Sequence, residues 1–326
     1  MSPDGSDSFP QVRAVTIRDG DLAVEEHPDP EPGRGELLLA VRAAGVNGAD
    51  MLQRKGAYPA PPGSPADIPG LELAGEVVAL GAAAERFAVG DRVMAIAGGG
   101  GQAELCALHE RAAMPVPEAL DWPRAGGTAE VFVTAHDALF AQAGLRPGER
   151  LLVHGGAGGV GTAAVQLGRA AGATVTATVR REEHRSAVGA LGATVIEPEG
   201  FVEHGPFDVV LELLGAPNLP EDVKALEIGG RIVVIGVGAG PKAELNLLAL
   251  MGKRGAIHAS TLRARPLEEK ALAMRRAERE VLPLLQAGTI DVPIAETYPL
   301  DRVEDAYDHF AAGGKLGKIV LLIGSG

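Results

Sequence analysis

The sequence predicts an α/β protein, a doubly wound parallel sheet joined to a β-rich domain, and three observations predict it. First, the apolar run Leu151, Leu152, Val153 has the length of a buried parallel strand. It leads straight into Gly156-x-Gly158-x-x-Gly161 and then into a helical pattern from Thr162 to Ala171. Second, short β-like runs alternate with helical ones after that point, as in a parallel sheet with helices on both faces. Third, the stretch before it carries strands separated by turn signals, with no helical periodicity between them. A chain of 326 residues has room for two such domains, and no internal repeat argues against their being unlike.

In chain order, Met1 to Phe9 is rich in Ser, Asp, Gly and Pro and reads as a frayed tail. Val12–Ile17, Leu22–Glu26 and Glu36–Ala44 read as strands, the last two separated by a proline-rich loop from Pro28 to Gly33. Leu73–Leu80 and Arg92–Ile96 continue the β pattern. Between them and the first strands, Gly56 to Gly70 holds too many Pro and Gly residues for helix or central strand. A loop of that length in a compact domain is a candidate for function. Four glycines, Gly98 to Gly101, read most simply as a flexible hairpin turn, with Cys106 a small buried residue beyond it.

Helical patterns then begin. Ala129–Ala141 is expected as a helix, ended by Gly144 and Pro147-Gly148. Strands 151–154, 174–179, 194–196, 207–211, 231–235 and 257–260 are expected, with helices over 160–171, 182–190 and 219–227 between them. Leu267 to Gln286 reads as one long charged amphipathic helix. The rest is expected as a strand near Tyr298, a helix over Val303–Ala312 and a last strand over Lys318–Ile323. Domain breaks are placed near Gly126 and Leu267. That gives a nucleotide-type domain over 127–266 and a β-rich domain made of 1–126 and 267–326.

Bulk properties exclude several function classes. A net charge of −13 argues against nucleic acid or an anionic membrane surface as partner. No apolar run reaches the roughly 18 residues that span a bilayer, and no basic start and apolar core mark an export signal. A cytoplasmic location is expected. The single cysteine rules out an intrachain disulfide and a multi-thiolate metal site, and the eight histidines are scattered. No metal is expected.

The chemistry centres on the glycine motif. Gly156, Gly158 and Gly161 permit a tight turn, close backbone approach to a pyrophosphate and close helix–strand contact, and Gly159 and Val160 open the helix whose N-terminus favours the anion. An ordinary strand–helix turn is the bland alternative, and the alternating pattern around it favours dinucleotide binding. An NAD site places an acidic residue about 20 positions on, at the end of the second strand. Here stand Arg180 and Arg181, which suit a 2′-phosphate because a guanidinium takes it bidentately. The competing reading is that Arg-Arg-Glu-Glu merely opens a solvated helix. NADPH is the cofactor expected. Leu214-Gly215 and Gly236-Val237 end successive strands at the carboxyl edge of the sheet, where open α/β folds bind ligands.

Ordered short motifs extend over nearly the whole chain. They are Ala44-Gly45-Val46-Asn47-x-x-Asp50, Gly56-x-Tyr58-Pro59, Pro69-Gly70-x-Glu72-x-x-Gly75 and Glu130-x-x-x-Thr134-Ala135, then the glycine motif. Leu191-Gly192-Ala193, Asp208-Val209-Val210-Leu211, Ser260-Thr261-Leu262-Arg263-x-Arg265 and Gly317-Lys318-Ile319-Val320 complete the series. In these the chain resembles the zinc-independent, zeta-crystallin-like quinone oxidoreductases of the medium-chain dehydrogenase/reductase superfamily. The Ser-Thr-Leu-Arg-x-Arg stretch looks most like the p53-inducible quinone oxidoreductase branch. The resemblance implies a Rossmann NADPH-binding domain inserted in a GroES-like catalytic domain, with substrate held in the cleft between them.

Zinc-dependent relatives carry a cysteine ligand where this chain has Asn47, a histidine where it has Leu71, and four closely spaced cysteines for a structural zinc that this chain lacks, so neither the catalytic nor the structural zinc of those relatives can form by that route. Tyrosines that many relatives place near the glycine-rich hairpin are replaced by Gln102 and Leu105. By resemblance, Asn47 and Tyr58 lie near the nicotinamide, and Tyr58 is placed to donate to a quinone oxygen. The bland alternative packs the Tyr58 ring on Pro59. Thr134, Thr261, Leu262, Arg263 and Lys318 resemble residues that reach the cofactor, while Arg265 reads equally well as a surface charge. The function implied is hydride transfer from NADPH to a quinone or activated enone. An enoyl-thioester or 2-alkenal reductase is the alternative enzyme, and an NADPH-binding structural or sensing protein the alternative of another class. A homodimer, or a tetramer built from it, is expected through the edge segment Ala256–Leu262.

Overall fold

The structure, a computed structural model, describes residues 11–324. The tail expected over Met1–Phe9 lies outside them. In chain order the elements are β1 (Gln11–Arg18), β2 (Asp21–Pro28), β3 (Glu36–Val46), α1 (Gly48–Arg54), β4 (Glu72–Leu80), β5 (Arg92–Ile96), β6 (Leu105–His109), β7 (Ala113–Pro115) and α2 (Trp122–Gly126). Then come α3 (Ala129–His136), β8 (Arg150–Val153), α4 (Gly159–Ala170), β9 (Thr174–Thr178), α5 (Glu182–Ala190), β10 (Thr194–Ile196), β11 (Phe207–Glu212), α6 (Leu219–Ala225) and β12 (Leu226–Val234). Last are α7 (Leu247–Lys253), β13 (Ala256–Ala259), α8 (Leu267–Glu280), α9 (Leu282–Gln286), β14 (Ile294–Pro299), α10 (Val303–Ala312) and β15 (Lys318–Leu322).

Two compact units result. Of the described residues, one holds 11–129, 296–312 and 319–324, and the other holds 130–295 with 313–318. The first is β-rich. Its sheet has the order β14-β15-β3-β4-β5-β7 with β6 added to β3, and a separate β1–β2 hairpin. Leu37, Leu39 and Val41 alternate inward along β3 and meet Leu73, Val93, Tyr307 and Ile319 in one core, the period-2 pattern of a half-buried strand. The second unit is a six-stranded, all-parallel sheet in the order β10-β9-β8-β11-β12-β13, with helices in the crossovers. Leu151, Leu152 and Val153 of its central strand are fully buried. Helix α4 lies against that strand because its inner face is small. A Cβ at Gly168 would stand 2.7 Å from Leu151 Cδ2.

Several boundaries differ from expectation, each for a physical reason. The second domain break falls between Ala295 and Glu296, not near Leu267, and the first at Ala129 rather than Gly126. Helix α8 belongs to the parallel-sheet unit because Ala271, Ala273, Met274 and Ala277 are buried and Glu280 meets His136 Nε2 at 2.7 Å. The expected helix 267–286 divides at Val281, since Pro283 has no N–H to continue the ladder. The expected helix 129–141 turns π-helical over Asp137–Gln142. Helix α6 stops at Ala225 and β12 starts at Leu226, five residues before the expected Arg231; Gly229 (φ +82°) absorbs the register shift between the two pairings of β11 with β12.

Gly98–Gly101 is not a flexible hairpin. Strands β5 and β6 do not pair with each other. Instead Gly100 N–H donates to Ile68 O at 2.9 Å, Gly101 N–H to Gly70 O at 3.2 Å and Gln102 N–H to Pro69 O at 3.1 Å. A Cβ at Gly101 would lie 2.9 Å from Gly70 O, so glycine here serves close backbone approach. Helix α1 was not expected, although its signal is local. Asn47 and Asp50 form a reciprocal capping box at its N-terminus.

Candidate active site

The parallel-sheet unit builds its site from the end of β8. Gly155 (φ +68°) turns the chain, Gly156 N–H donates to Thr178 O at 3.0 Å, and Gly158 caps α4. Each motif glycine has a distinct reason. A Cβ at Gly156 would meet Ala177 Cβ at 2.8 Å, and one at Gly161 would collide with the Gly155 carbonyl oxygen. At Gly159 it would meet Lys318 Cδ at 2.7 Å and Val131 Cγ1 at 2.8 Å. Gly158 alone is open, its Cβ position 3.5 Å from the nearest atom. That open backbone, followed by the free N–H groups of a 12-residue helix with Val160 in its first turn, fits a pyrophosphate.

A basic end stands beside this turn. Arg180 and Arg181 are exposed just beyond β9, and Arg181 pairs with Glu183 at 3.3 Å. The segment 313–318 returns here. Gly313 lies 3.9 Å (from its Cβ position) from the Arg180 guanidinium, and Gly314 leaves no room for a side chain against Arg181. His184 Nε2 meets Gly314 O at 2.8 Å, so that nitrogen carries a proton. Gly317 N–H donates to Ala157 O at 2.8 Å and Lys318 N–H to Pro293 O at 2.9 Å, which fixes the segment along the glycine turn. Lys318 is buried, and Lys315 donates to Gly317 O at 2.8 Å. Burial, aided by Lys318, lowers the Lys315 ammonium to about 7.

At the carboxyl edge of the sheet, Gly215 (φ +104°) and Gly236 bring two loops within backbone contact. A Cβ at Gly215 would lie 2.6 Å from Gly240 O, and one at Gly236 would overlap Leu213 O. A cavity of about 230 Å³ opens there between Glu212, Gly215, Val234 and Val237. Val237 lines it, and both Val237 and Leu214, the residue before Gly215, are exposed. Thr261, Leu262 and Arg263 follow β13 in a loop, Arg263 buried and its carbonyl accepting Lys270 Nζ at 3.0 Å. Arg265 is no surface charge. It grips Asp137 with two nitrogens, at 3.1 and 2.5 Å, and ties this loop to the π-helical turn. Thr134 is buried on α3 and donates to Glu130 Oε1 at 3.2 Å.

In the β-rich unit, Asn47 is buried at the end of β3. Its amide donates to Glu72 Oε1 at 3.0 Å and Gly45 O at 3.3 Å, and its N–H to Asp50 Oδ2 at 2.8 Å. Asp50 also accepts Gly70 N–H at 3.1 Å. Glu72 and Asp50 are therefore what hold Asn47. Leu71 beside them is aliphatic and buried. An amide committed to donating and an alkyl side chain do not make a zinc donor set. Tyr58 stands half-buried in the 56–70 loop.

Sequence reasoning missed three groups of residues. Gly313–Lys315 carries no motif of its own and becomes relevant only by returning to Arg180 and Arg181. Glu72 and Asp50 were visible as motif members but not as the partners of Asn47. His154, Glu212 and Asp222 come from three separate elements and converge beneath the glycine turn.

Two family models match the chain, an alcohol dehydrogenase GroES-like domain over residues 33–144 and a zinc-binding dehydrogenase domain over 191–321. A quinone oxidoreductase of Rattus norvegicus is 32% identical over 310 residues, covering 90% of this chain and 91% of the relative. That of Mus musculus is 33% identical over 312 residues, with the same coverage. Among solved structures, an alcohol dehydrogenase superfamily protein from Novosphingobium aromaticivorans superposes with a TM-score of 0.85 at 29% identity, covering 97% of this chain and 100% of that one. The chain belongs to the quinone oxidoreductase family of zinc-independent medium-chain dehydrogenase/reductases. It is an oxidoreductase that works with a nicotinamide cofactor and a small-molecule substrate.

Proposed function

We propose that this enzyme uses NADPH to reduce quinones and related activated enones. The observation that carries the cofactor choice is the guanidinium pair Arg180 and Arg181 at the end of β9, where an NAD site keeps a carboxylate. Gly313 and Gly314 leave the pair's flank bare of side chains, and Lys318 adds a buried cation by the turn. When bound, the cofactor supplies the hydride. The chain's own residues supply position and charge. Gly156, Gly158, Gly159, Val160 and Gly161 hold the pyrophosphate against the α4 N-terminus. Leu214, Gly215, Gly236 and Val237 border the ribose end, and Thr134, Thr261, Leu262, Arg263 and Lys318 complete the cofactor's surroundings. Asn47, held rigid by Glu72 and Asp50, serves the nicotinamide and substrate end, where the Tyr58 hydroxyl donates to an oxygen that gains negative charge.

The test is a cofactor and acceptor panel. Following NADPH and NADH oxidation with 1,4-benzoquinones, 9,10-phenanthrenequinone, 2-alkenals and crotonyl-CoA, quinones with NADPH are expected to give the highest kcat/KM. In Arg180→Glu, the KM for NADPH is expected to rise by about tenfold or more while that for NADH changes little, the size expected for losing a charge-assisted phosphate contact. An unchanged ratio rejects the NADPH reading. A preference for crotonyl-CoA or alkenals rejects the quinone reading and leaves the cofactor reading standing.

The assembly proposed is a homodimer. Strand β13 is an edge of the parallel sheet among the described residues, and α7, just before it, exposes Leu247, Leu248 and Met251. A bare edge beside exposed apolar side chains favours pairing with a second copy.

A further inference from the structure

We infer that Glu212 and Asp222 share a single proton, and that this pair acts through His154 as a positioning relay for the glycine-rich turn. The inference rests on the reading of that turn as the cofactor site. Glu212 and Asp222 are both 0% exposed, and His154 is 1% exposed. Each comes from a different element, the ends of β11 and β8 and the middle of α6.

Glu212 Oε1 accepts the N–H groups of Leu214 and Gly215, and Oε2 accepts Asn218 Nδ2 at 3.0 Å. A carboxyl group facing three donors is ionised. On the other side of the cluster, Gly155 N–H donates to Thr178 Oγ1 at 3.2 Å. The Thr178 hydroxyl still has its own proton to give, and His154 Nδ1, 3.3 Å away, is placed to accept it. In the arrangement we infer, the imidazole keeps one proton, on Nε2, which donates to Asp222 Oδ1 at 2.8 Å. Phe201 packs edge-on against the ring at 4.6 Å.

One atom is left over. Asp222 Oδ2 is buried and meets no N–H or O–H donor. With both carboxylates ionised and His154 neutral, two negative charges would sit within 4.8 Å of each other, out of water, and Asp222 Oδ2 would stay without a donor. Like charges so placed cannot both ionise, and one carboxyl keeps its proton. A proton on Asp222 Oδ2 directed at Glu212 satisfies the orphan and halves the buried charge. Burial and Glu212 both push the Asp222 carboxyl upward, against the pull of His154. The other charged groups of α6, Glu221 and Lys224, pair with each other at the surface. Glu203 and His204, on the turn that carries Phe201, are exposed. The relay therefore runs from Glu212, which shapes the Leu214–Gly215 loop, through Asp222 and His154 to Thr178 and the first N–H of the glycine turn.

The test separates a proton donor from a mere charge. Asp222→Asn keeps an N–H at the place of the proton, whereas Asp222→Ala removes it. In steady-state assays Asp222→Ala and His154→Phe are expected to raise the KM for NADPH by about tenfold with kcat lowered less, and Asp222→Asn to restore it to within about threefold of wild type. Infrared difference spectra at pH 5 between wild type and Asp222→Asn are expected to show the C=O stretch of a protonated carboxyl in the wild type, as an Asp222 carboxyl raised to about 6 requires. Absence of that band, a KM in Asp222→Asn as high as in Asp222→Ala, or one equivalent of tightly bound divalent metal in purified enzyme would overturn the inference. Should wild type fail to bind NADPH, the cofactor reading fails instead, and the infrared band still decides the proton.

Discussion

A methyl group at Gly161 would run into the Gly155 carbonyl oxygen and come within 2.9 Å of Gly156 Cα. Because both atoms are backbone, the turn itself has to move. Gly161→Ala is expected to cost about 1–3 kcal/mol of stability, the usual range for overpacking, and to weaken NADPH binding. Gly158→Ala has room at 3.5 Å from its nearest neighbour, so its melting temperature is expected to stay near wild type while cofactor affinity falls. Thermal melts paired with NADPH titration check both. Tyr58→Phe isolates a hydroxyl. A kcat reduced by about tenfold or more for quinones would fit hydrogen-bond donation to developing charge, and an unaltered kcat would end that role. The glycines and the arginine pair were legible in the sequence because their chemistry follows from fixed offsets after a strand. Asp222 was not, because what makes it special is a buried oxygen without a donor in a cluster with Glu212 and His154, a fact of convergence in space.

Among the elements, the strand–helix alternation of the parallel sheet was readable almost throughout, since Leu151–Val153 and its neighbours are continuous apolar runs with Gly at their ends. Errors clustered where backbone sterics override periodicity, at Pro283 in the α8–α9 break, at Gly229 in β12 and at the buried Gly99–Gly101. The six residues 313–318 were legible only as Gly317-Lys318, yet they carry Lys315. Its ammonium, lowered to about 7 from an ordinary 10.5, makes the protein more stable as pH rises from about 7 to about 10.5, because the unfolded chain holds the proton longer than the folded one. Below pH 7 that cost is complete. A bound phosphate nearby favours the charged form, so NADPH binding at pH 8 is expected to take up a proton, and Lys315→Met to abolish the uptake. Calorimetric titration in two buffers of different ionisation enthalpy measures it.

Over the whole molecule, the class of each unit was evident from composition and pattern, but their boundaries were not. No local signal marks Ala295 and Glu296 as a border; the placement of 265–291 depends on His136, Asp137 and Gln166, which meet Glu280, Arg265 and Asp291 from more than a hundred positions earlier. The proposed dimer belongs to this scale as well. Leu248→Glu with Met251→Glu places charge on the exposed α7 face, and light scattering is expected to change from a two-chain to a one-chain mass. A wild-type monomer would remove the proposal. The interrupted path of the parallel-sheet unit also sets an order of events during synthesis. Lys315, Gly317 and Lys318 leave the ribosome only after the entire stretch Glu296–Ala312, which serves the other unit. A nascent chain therefore carries the glycine turn for some time without the segment that lines it, and on the proposed reading of that turn cofactor capture during translation is expected to wait for the C-terminal return.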